Sequence, residues 1–546
     1  MPTLEWRDVS IAYKVHRGDA EQVLAVDDVF LRVETGDTVG IAGESGSGKS
    51  TLMSSALRLL AKNAKVTGDV LLDGQDVNKL GFSELRAVRW TSAAIVFQGA
   101  MNSLNPVRTV GWQIEEALEL HSRKQWSGKQ GRRARAGEMM ALVDLPKGKL
   151  DAYPHELSGG QKQRVMIAMA LACDPDIIIA DEPTTALDVI VQAQVLDVLK
   201  NLVASRGLSL VMISHDLSVL ASTCERLVIM KDGRIVEQGD SAEVMRHPQH
   251  PHTIELASAF PTIGDPSSRL RVGREMRSKP LSELPAQREI GDMRLEVRDL
   301  VVDFSARGQQ VRAVDHVNLG CRQGEIVALV GQSGSGKTTL ARTILGLQQP
   351  ASGQVLFDGK PMPRKGAGLK AYRRRVQFVP QDPIGSLDPK KSIHEAIAEG
   401  IRIHGLDDEA GRVARALENA ELTPPERWMN AIPQELSGGQ RQRAIIAGAL
   451  ALDPEYLVAD EPVASLDASV RGEILALLLN LKNQLGLGAL VITHDLGLAW
   501  NIADRVMVMH QGRIVEEGPV EQVLLDPSDD YTKKLLSVVP SGAIRG

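Results

Sequence analysis

Two glycine-rich segments carry the residues best suited to chemistry. Gly43, Ser45, Gly46, Ser47, Gly48, Lys49, Ser50 and Thr51 fit the pattern G-x-x-x-x-G-K-[ST], and so do Gly331, Ser333, Gly334, Ser335, Gly336, Lys337, Thr338 and Thr339. Glycines let the backbone wrap a phosphate closely, successive amides form an anion nest, and a following helix N-terminus adds a favourable dipole. Lys49 and Lys337 would reach β- and γ-phosphates, while the hydroxyls of Ser50 and Thr338 would ligate Mg²⁺. Asp181 and Asp460 each end an apolar run and can hold the same ion through water. Glu182 and Glu461 follow directly, where a carboxylate can orient or deprotonate an attacking water.

These side chains need elements to position them. Thr38–Ala42 and Ile326–Val330 are apolar runs that feed the two glycine turns, and a helical pattern begins near each lysine. Ile177–Ala180 and Leu208–Ser214 read as further buried strands, separated by a helix over Val189–Ser205. That order predicts a mainly parallel sheet with helices on both faces. Val228–Val236 reads as a hairpin with an Asp-Gly turn. Ser158, Gly159, Gly160 and Gln161 precede a helical pattern over Lys162–Ala172, so their amides lie at a positive helix end. Alone, that segment would pass as a capping loop. Its recurrence at Ser437, Gly438, Gly439 and Gln440, between the other two motifs, makes it specific.

Every motif occurs twice in the same order, and the second copy is shorter only between its first two motifs. The 546 residues therefore hold two homologous domains, 1–260 and 294–546. Between them 261–293 holds four prolines, many arginines and no apolar period, and reads as an extended tether. The 43% hydrophobic content excludes wholesale disorder, and the net charge of −6 excludes a globally basic nucleic-acid binder. Cys173, Cys224 and Cys321 lie far apart, offering neither a disulfide framework nor metal-ligand spacing. No stretch approaches the ~20 apolar residues of a bilayer span, and the N-terminus lacks the pattern of a secretory signal.

With these motifs in hand, each half resembles the nucleotide-binding domain of ATP-binding-cassette (ABC) proteins. The resemblance implies an α/β fold with two tandem P-loop NTPase domains, each a RecA-like core with an antiparallel β subdomain and a helical subdomain. It implies ATP as substrate with Mg²⁺, glutamine-loop residues Gln98 and Gln381 near the metal, and switch histidines His215 and His494. It further implies the signature at Ser158–Gln161 and Ser437–Gln440, D-loop residues Asp188 and Asp467, and an adenine-stacking aromatic on an early strand. Tyr13 and Phe304 fit that place, as core aromatics also would. In the family each ATP lies between one domain's phosphate loop and the other's signature.

ABC pairs without membrane spans energise membrane subunits, act on ribosomes, or act in DNA repair. The ribosomal class resembles this chain in its tandem domains but joins them with a long charged helix. The repair class carries zinc cysteines or coiled coils. The segments 97–106 and 380–389 look like the glutamine loop of the peptide, opine and nickel uptake subfamily. His247–Pro261 and Asp526–Pro540 resemble the C-terminal extension of dipeptide and oligopeptide permease ATPases. The resemblance thus implies an importer ATPase for dipeptides or oligopeptides, with nickel, opine or glutathione as other solutes. Its partners would be two transmembrane permease subunits and an extracytoplasmic solute-binding protein. It would lie on the cytoplasmic face of the inner membrane, touching neither nucleic acid nor the solute.

Two departures stand out. Relatives often carry four cysteines for an iron–sulfur cluster in the extension; none lies there, so no cluster is expected. Gly99 replaces the aspartate that Asp382 keeps. His247, His250 and His252 are interrupted by prolines and read as structural, and the runs at Arg132–Arg135 and Arg373–Arg375 read as solvated faces.

Overall fold

Thr38–Ala42, Ile177–Asp181 and Ser209–Ile213 are buried at every residue, as aliphatic runs must be when helices cover both faces of a sheet. The computed structural model describes residues 3–14, 22–97, 103–122, 125–126, 128–185, 187–258, 262–270, 290–306, 309–464 and 466–539. They form two compact units, divided in sequence between Phe260 and Pro261.

The first unit contains β1 (Leu4–Lys14), β2 (Gln22–Val33), β3 (Thr38–Ala42), β4 (Ala64–Leu72), β5 (Gln75–Asp76), β6 (Ala93–Val96), β7 (Ile177–Asp181), β8 (Ser209–Ile213), β9 (Arg226–Lys231) and β10 (Arg234–Asp240). An antiparallel sheet has the order β2-β1-β4-β5, and a larger sheet the order β10-β9-β3-β8-β7-β6. In the larger sheet β6, β7, β8, β3 and β9 pair in parallel, and β10 pairs antiparallel at the edge. Residues of β1, β3 and β7 share one core with Leu52 and Met53 of the first helix, so the small sheet lies against one face of the large one. Trp6, fully buried on β1, satisfies its indole N–H by donating to Ser55 Oγ at 2.9 Å.

The second unit repeats the plan with β11 (Met293–Ala306), β12 (Gln309–Arg322), β13 (Ile326–Val330), β14 (Ser352–Phe357), β15 (Lys360–Pro361), β16 (Val376–Val379), β17 (Tyr456–Asp460), β18 (Gly488–Thr493), β19 (Arg505–His510) and β20 (Arg513–Pro519). Its sheets run β12-β11-β14-β15 and β16-β17-β18-β13-β19-β20. The helices Ile393–His404, Glu409–Asn419 and Gly438–Leu450 pack their aliphatic faces into one further core.

The sequence places the second helical pattern of the first half at Lys162–Ala172, but the helix spans Gly159–Leu171. Ser158 is its N-cap, and Gln161 closes a capping box, so the helix starts at the earliest position the box allows. The tether reading needs correction at 262–270. Ile263 is fully buried, Trp500 Nε1 donates to Asp265 O at 3.4 Å, and Arg269 donates to Ala503 O at 2.7 Å while lying over the Trp500 ring. Aromatic and guanidinium contacts dock this stretch on the second unit; 271–289 lies outside the described residues. Among the described residues, no helix is long and apolar enough to cross a membrane.

Candidate functional site

In each large sheet the central strand lies between neighbours whose connections run to opposite sides, and at such a switch point the carboxyl ends of the strands open a crevice. β3, β7 and β8 deliver Lys49, Asp181 and His215 to that edge; β13, β17 and β18 deliver Lys337, Asp460 and His494. Residues far apart in sequence therefore meet because their strands are neighbours.

The glycine loops fit a phosphate by two kinds of glycine. A Cβ on Gly43 would lie 2.2 Å from Met230 O and one on Gly48 2.3 Å from Ala25 O, so these two face protein backbone. Gly46 has φ 81° with nothing within 4 Å of the added atom, and Gly334 has φ 79° with the same open surroundings. The loop thus packs tightly on its protein side and opens its backbone on the other. Ser335 Oγ, buried in the second loop, has no hydrogen-bond partner, and a phosphate oxygen is an acceptor of the kind it lacks.

Both lysines are buried and held by their own loops. Lys49 Nζ donates to Gly43 O (2.8 Å), Glu44 O (2.6 Å) and Ser47 Oγ (3.2 Å). Lys337 Nζ donates to Gly331 O (2.6 Å) and Gln332 O (2.7 Å). Ser50 Oγ donates to Asp181 Oδ1 at 3.1 Å, and Thr338 makes the corresponding bond to Asp460. Burial pushes the carboxyls of Asp181 and Asp460 up, against those hydroxyl bonds. A hydroxyl beside a buried carboxylate is a hard-oxygen donor set of the kind Mg²⁺ accepts.

Glu182 and Glu461 both have φ 47°, a left-handed backbone that a glutamate does not adopt freely. The strain persists because each amide is engaged past the strand end, Glu182 N to Ile213 O at 3.0 Å and Glu461 N to Ile492 O at 2.9 Å. The turn aims each carboxylate at the neighbouring histidine. Burial opposes charge on Glu182, but His215, Thr185 and Lys49 outweigh it and bring its carboxyl down to about 2. His494 Nδ1 stands 2.8 Å from both oxygens of Glu461; burial opposes its positive charge, yet Glu461 and Asp495 raise its pKa above the ordinary histidine value. Each histidine is fixed by a turn in which Ser214 Oγ or Thr493 Oγ1 accepts the amide two residues on, both at 3.0 Å.

The remaining predicted residues fall in more than one place. Ser158 and Ser437 cap helices at the exposed start of the second motif, and a Cβ on Gly160 or Gly439 would collide with Val191 or Val470. Asp188 caps the helix Val189–Arg206 by accepting from Val191 N at 3.1 Å, whereas Asp467 heads Ala468–Leu485 with no side-chain cap. Tyr13 packs partly against the first core; Phe304 on β11 is 40% exposed, which removes the core reading for it. Gln381 is exposed beside Asp382, which caps Pro383–Ser386; Gln98 and Gly99 lie outside the described residues.

The two arginine runs prove more engaged than solvated faces. Arg133 bonds Glu115 and Asp151, Arg135 bonds Glu138 and Asp174, Arg373 donates to Leu345 O and Gly346 O, and Arg375 is paired with Glu455. The three cysteines are buried, and burial pushes Cys224 and Cys321 up to about 12. Sequence reasoning missed Thr185, whose Oγ1 donates to Glu182 Oε2 at 2.7 Å. A hydroxyl three residues after the glutamate was the available signal.

The ABC transporter family pattern matches residues 26–185 and 314–464, and the oligopeptide/dipeptide transporter C-terminal region matches 236–286. The glutathione import ATP-binding protein GsiA of Salmonella typhimurium is 41% identical over 96% of this chain and 87% of its own length. Its counterpart in Escherichia coli strain K12 is 40% identical with the same coverage. An archaeal ribosome recycling factor, aABCE1, solved with the stalk protein aP1, covers 93% of this chain and 90% of its own with a TM-score of 0.60. At 21% identity that likeness is one of fold alone.

Proposed function

The chain belongs to the ABC transporter family, and from that premise we propose that it is the ATP-hydrolysing subunit of a bacterial importer for small peptides, a class that includes glutathione. The observation that carries this reading is one constellation present twice: a glycine loop caging a lysine, a hydroxyl on a buried aspartate, and a strained glutamate against a histidine. It rests also on the match of 236–286 to the oligopeptide/dipeptide type of C-terminal region.

In this reading residues 1–260 and 294–546 are two ATPase domains, and 261–293 joins them. The loop amides and Lys49 or Lys337 take the β- and γ-phosphates and neutralise their charge. Ser50 or Thr338, with Asp181 or Asp460 behind the hydroxyl, would hold Mg²⁺, which would supply positive charge against the phosphates. Glu182 and Glu461 orient the attacking water; a carboxylate held near 2 is a weak base, so positioning rather than full deprotonation is the role of Glu182. His215 and His494 hold the γ-phosphate side and fix the glutamates. By the family resemblance Gln98 and Gln381 would serve the metal, Asp188, Asp467 and the signature residues would serve the nucleotide, and Tyr13 and Phe304 would stack the base.

The partners are two permease subunits with a solute-binding protein outside the membrane. The chain sits peripherally on the cytoplasmic face and never touches cargo. Co-purification with a pair of polytopic subunits, and ATP hydrolysis lost when Lys49 and Lys337 are both changed to Ala, are the expected results. Recovery with ribosomes instead would overturn the importer reading, and hydrolysis surviving the double substitution would overturn the sites.

A further inference from the structure

We propose that the C-terminal extension braces the phosphate loop of its own half, and that Tyr531 is the positioning residue for the second ATP site. The inference rests on reading that loop as an ATP site. It assigns a job to a segment that lies beyond the family matches reported above, which in this half end at residue 464.

The helix Asp530–Ser537 is fixed at both its cap and its root. Asp529 accepts from Tyr531 N at 2.8 Å, and Glu516 on β20 accepts from Ser528 N at 2.7 Å, Ser528 Oγ at 2.8 Å and Asp529 N at 3.2 Å. This anchorage delivers the Tyr531 side chain to the glycine loop. Its hydroxyl oxygen accepts the amide proton of Gln332 at 3.1 Å, a bond closing 199 residues of chain. Its ring stacks on His510 with centroids 3.8 Å apart and planes 8° from parallel.

Gln332 is the second residue of the loop, and its carbonyl accepts from Lys337 Nζ at 2.7 Å. Tyr531 therefore holds from outside the same residue that the lysine holds from inside. The hairpin at the end of β19 adds a second grip, with Gly512 N donating to Ser335 O at 2.9 Å. A loop whose amides must converge on phosphate loses affinity when any peptide in it is free to turn away.

The first half has the same anchorage with a different tip. Glu237 accepts from Gln249 N at 2.9 Å and His250 N at 3.0 Å. In the register set by His215 and His494, the residue aligned with Tyr531 is His252, and Lys231 aligns with His510. His252 is 2% exposed, and neither ring nitrogen has a hydrogen-bond partner. Burial holds its pKa down, with Glu44, Lys231, Glu255 and His250 the charges acting on it; Glu44 is the loop counterpart of Gln332. The first extension thus ends in a buried imidazole without a hydrogen bond, and the second in a directed bond to its loop.

The test is ATP binding with Mg²⁺, measured by calorimetry on the full chain carrying Tyr531→Phe. In a Lys49→Ala background, where the second loop reports alone, ATP should bind about five-fold more weakly, the factor one neutral hydrogen bond commands. In a Lys337→Ala background it should not change. Tyr531→His should weaken binding as Tyr531→Phe does, and both should melt like the parent. Equal affinity for Tyr531→Phe and parent in the first background overturns the brace. So does equal weakening in both backgrounds with a lowered melting temperature, which marks a merely structural residue. A parent chain that binds no ATP overturns the ATP-site reading itself, a separate failure from ATP bound with indifference to Tyr531.

Discussion

The two halves hold their glutamates by the same backbone and by different side chains. Glu182 divides its carboxylate, with Thr185 Oγ1 on one oxygen at 2.7 Å and His215 Nδ1 3.5 Å from the other. Glu461 has Ala464 where Thr185 stands, and its carboxylate closes on His494 at 2.8 Å. A carboxylate pulled toward a hydroxyl cannot also close fully on an imidazole, so the hydroxyl that Thr185 has and Ala464 lacks accounts for the two distances. The left-handed φ of 47° is identical in both halves. Duplication has kept the strained turn that aims the glutamate, while the side chains that steady it have diverged.

The largest expected break in this comparison comes from the glutamates themselves. Glu182→Gln and Glu461→Gln should each lower turnover at their own site by at least about 100-fold, the scale of a lost general-base or water-orienting group. Steady-state hydrolysis left untouched by either variant would show that half to be idle.

Next in size is the hydroxyl. Thr185→Val should cut first-site turnover by about three- to ten-fold and shorten the Glu182–His215 contact, and Ala464→Thr should lengthen the Glu461–His494 contact. A crystal structure of either variant with unchanged glutamate–histidine distances would sink the explanation given above.

Proton titration sharpens the contrast further. His494 has a raised pKa in the folded chain, so its imidazolium–carboxylate pair contributes fully below the ordinary histidine value of 6.5 and is lost as pH rises through the raised value. Glu182 has a lowered pKa, so its contribution is full above the ordinary 4.5 and is lost as pH falls toward about 2. Histidine ring resonances followed by NMR should show His494 titrating above 6.5, and Glu461→Gln should bring it down. A His494 that titrates at or below 6.5 contradicts the pairing.

The smallest effect is at the helix caps. Asp188→Ala removes a bond to Val191 N and should cost about 1 kcal/mol of stability in its half, whereas Asp467→Ala should cost a few tenths. Equal melting shifts for the two would erase that difference between the halves.

Much of the site was legible in the sequence because phosphate chemistry leaves local patterns. A loop that must present successive amides needs glycine at fixed steps and a lysine at its end, and a metal-holding aspartate needs an apolar strand before it. Lys49, Ser50, Asp181 and Glu182 follow from such patterns, His215 only from the family resemblance, and the strands carrying them occur within a residue of their predicted ends. The stretch 262–270 was not legible, since its partner Trp500 lies more than two hundred residues away and nothing local announces the docking.

By itself the sequence determined the duplication, the α/β architecture and the identity of the phosphate-loop side chains, because each depends on short-range spacing or on self-similarity. Only the tertiary structure decided how those side chains are steadied. It set Thr185 against Glu182, left Ala464 to a different arrangement, and brought Tyr531 to the amide of Gln332. A hydrogen bond is fixed by ångströms between atoms, and the chain brings these atoms together only after the sheets have chosen their strand order.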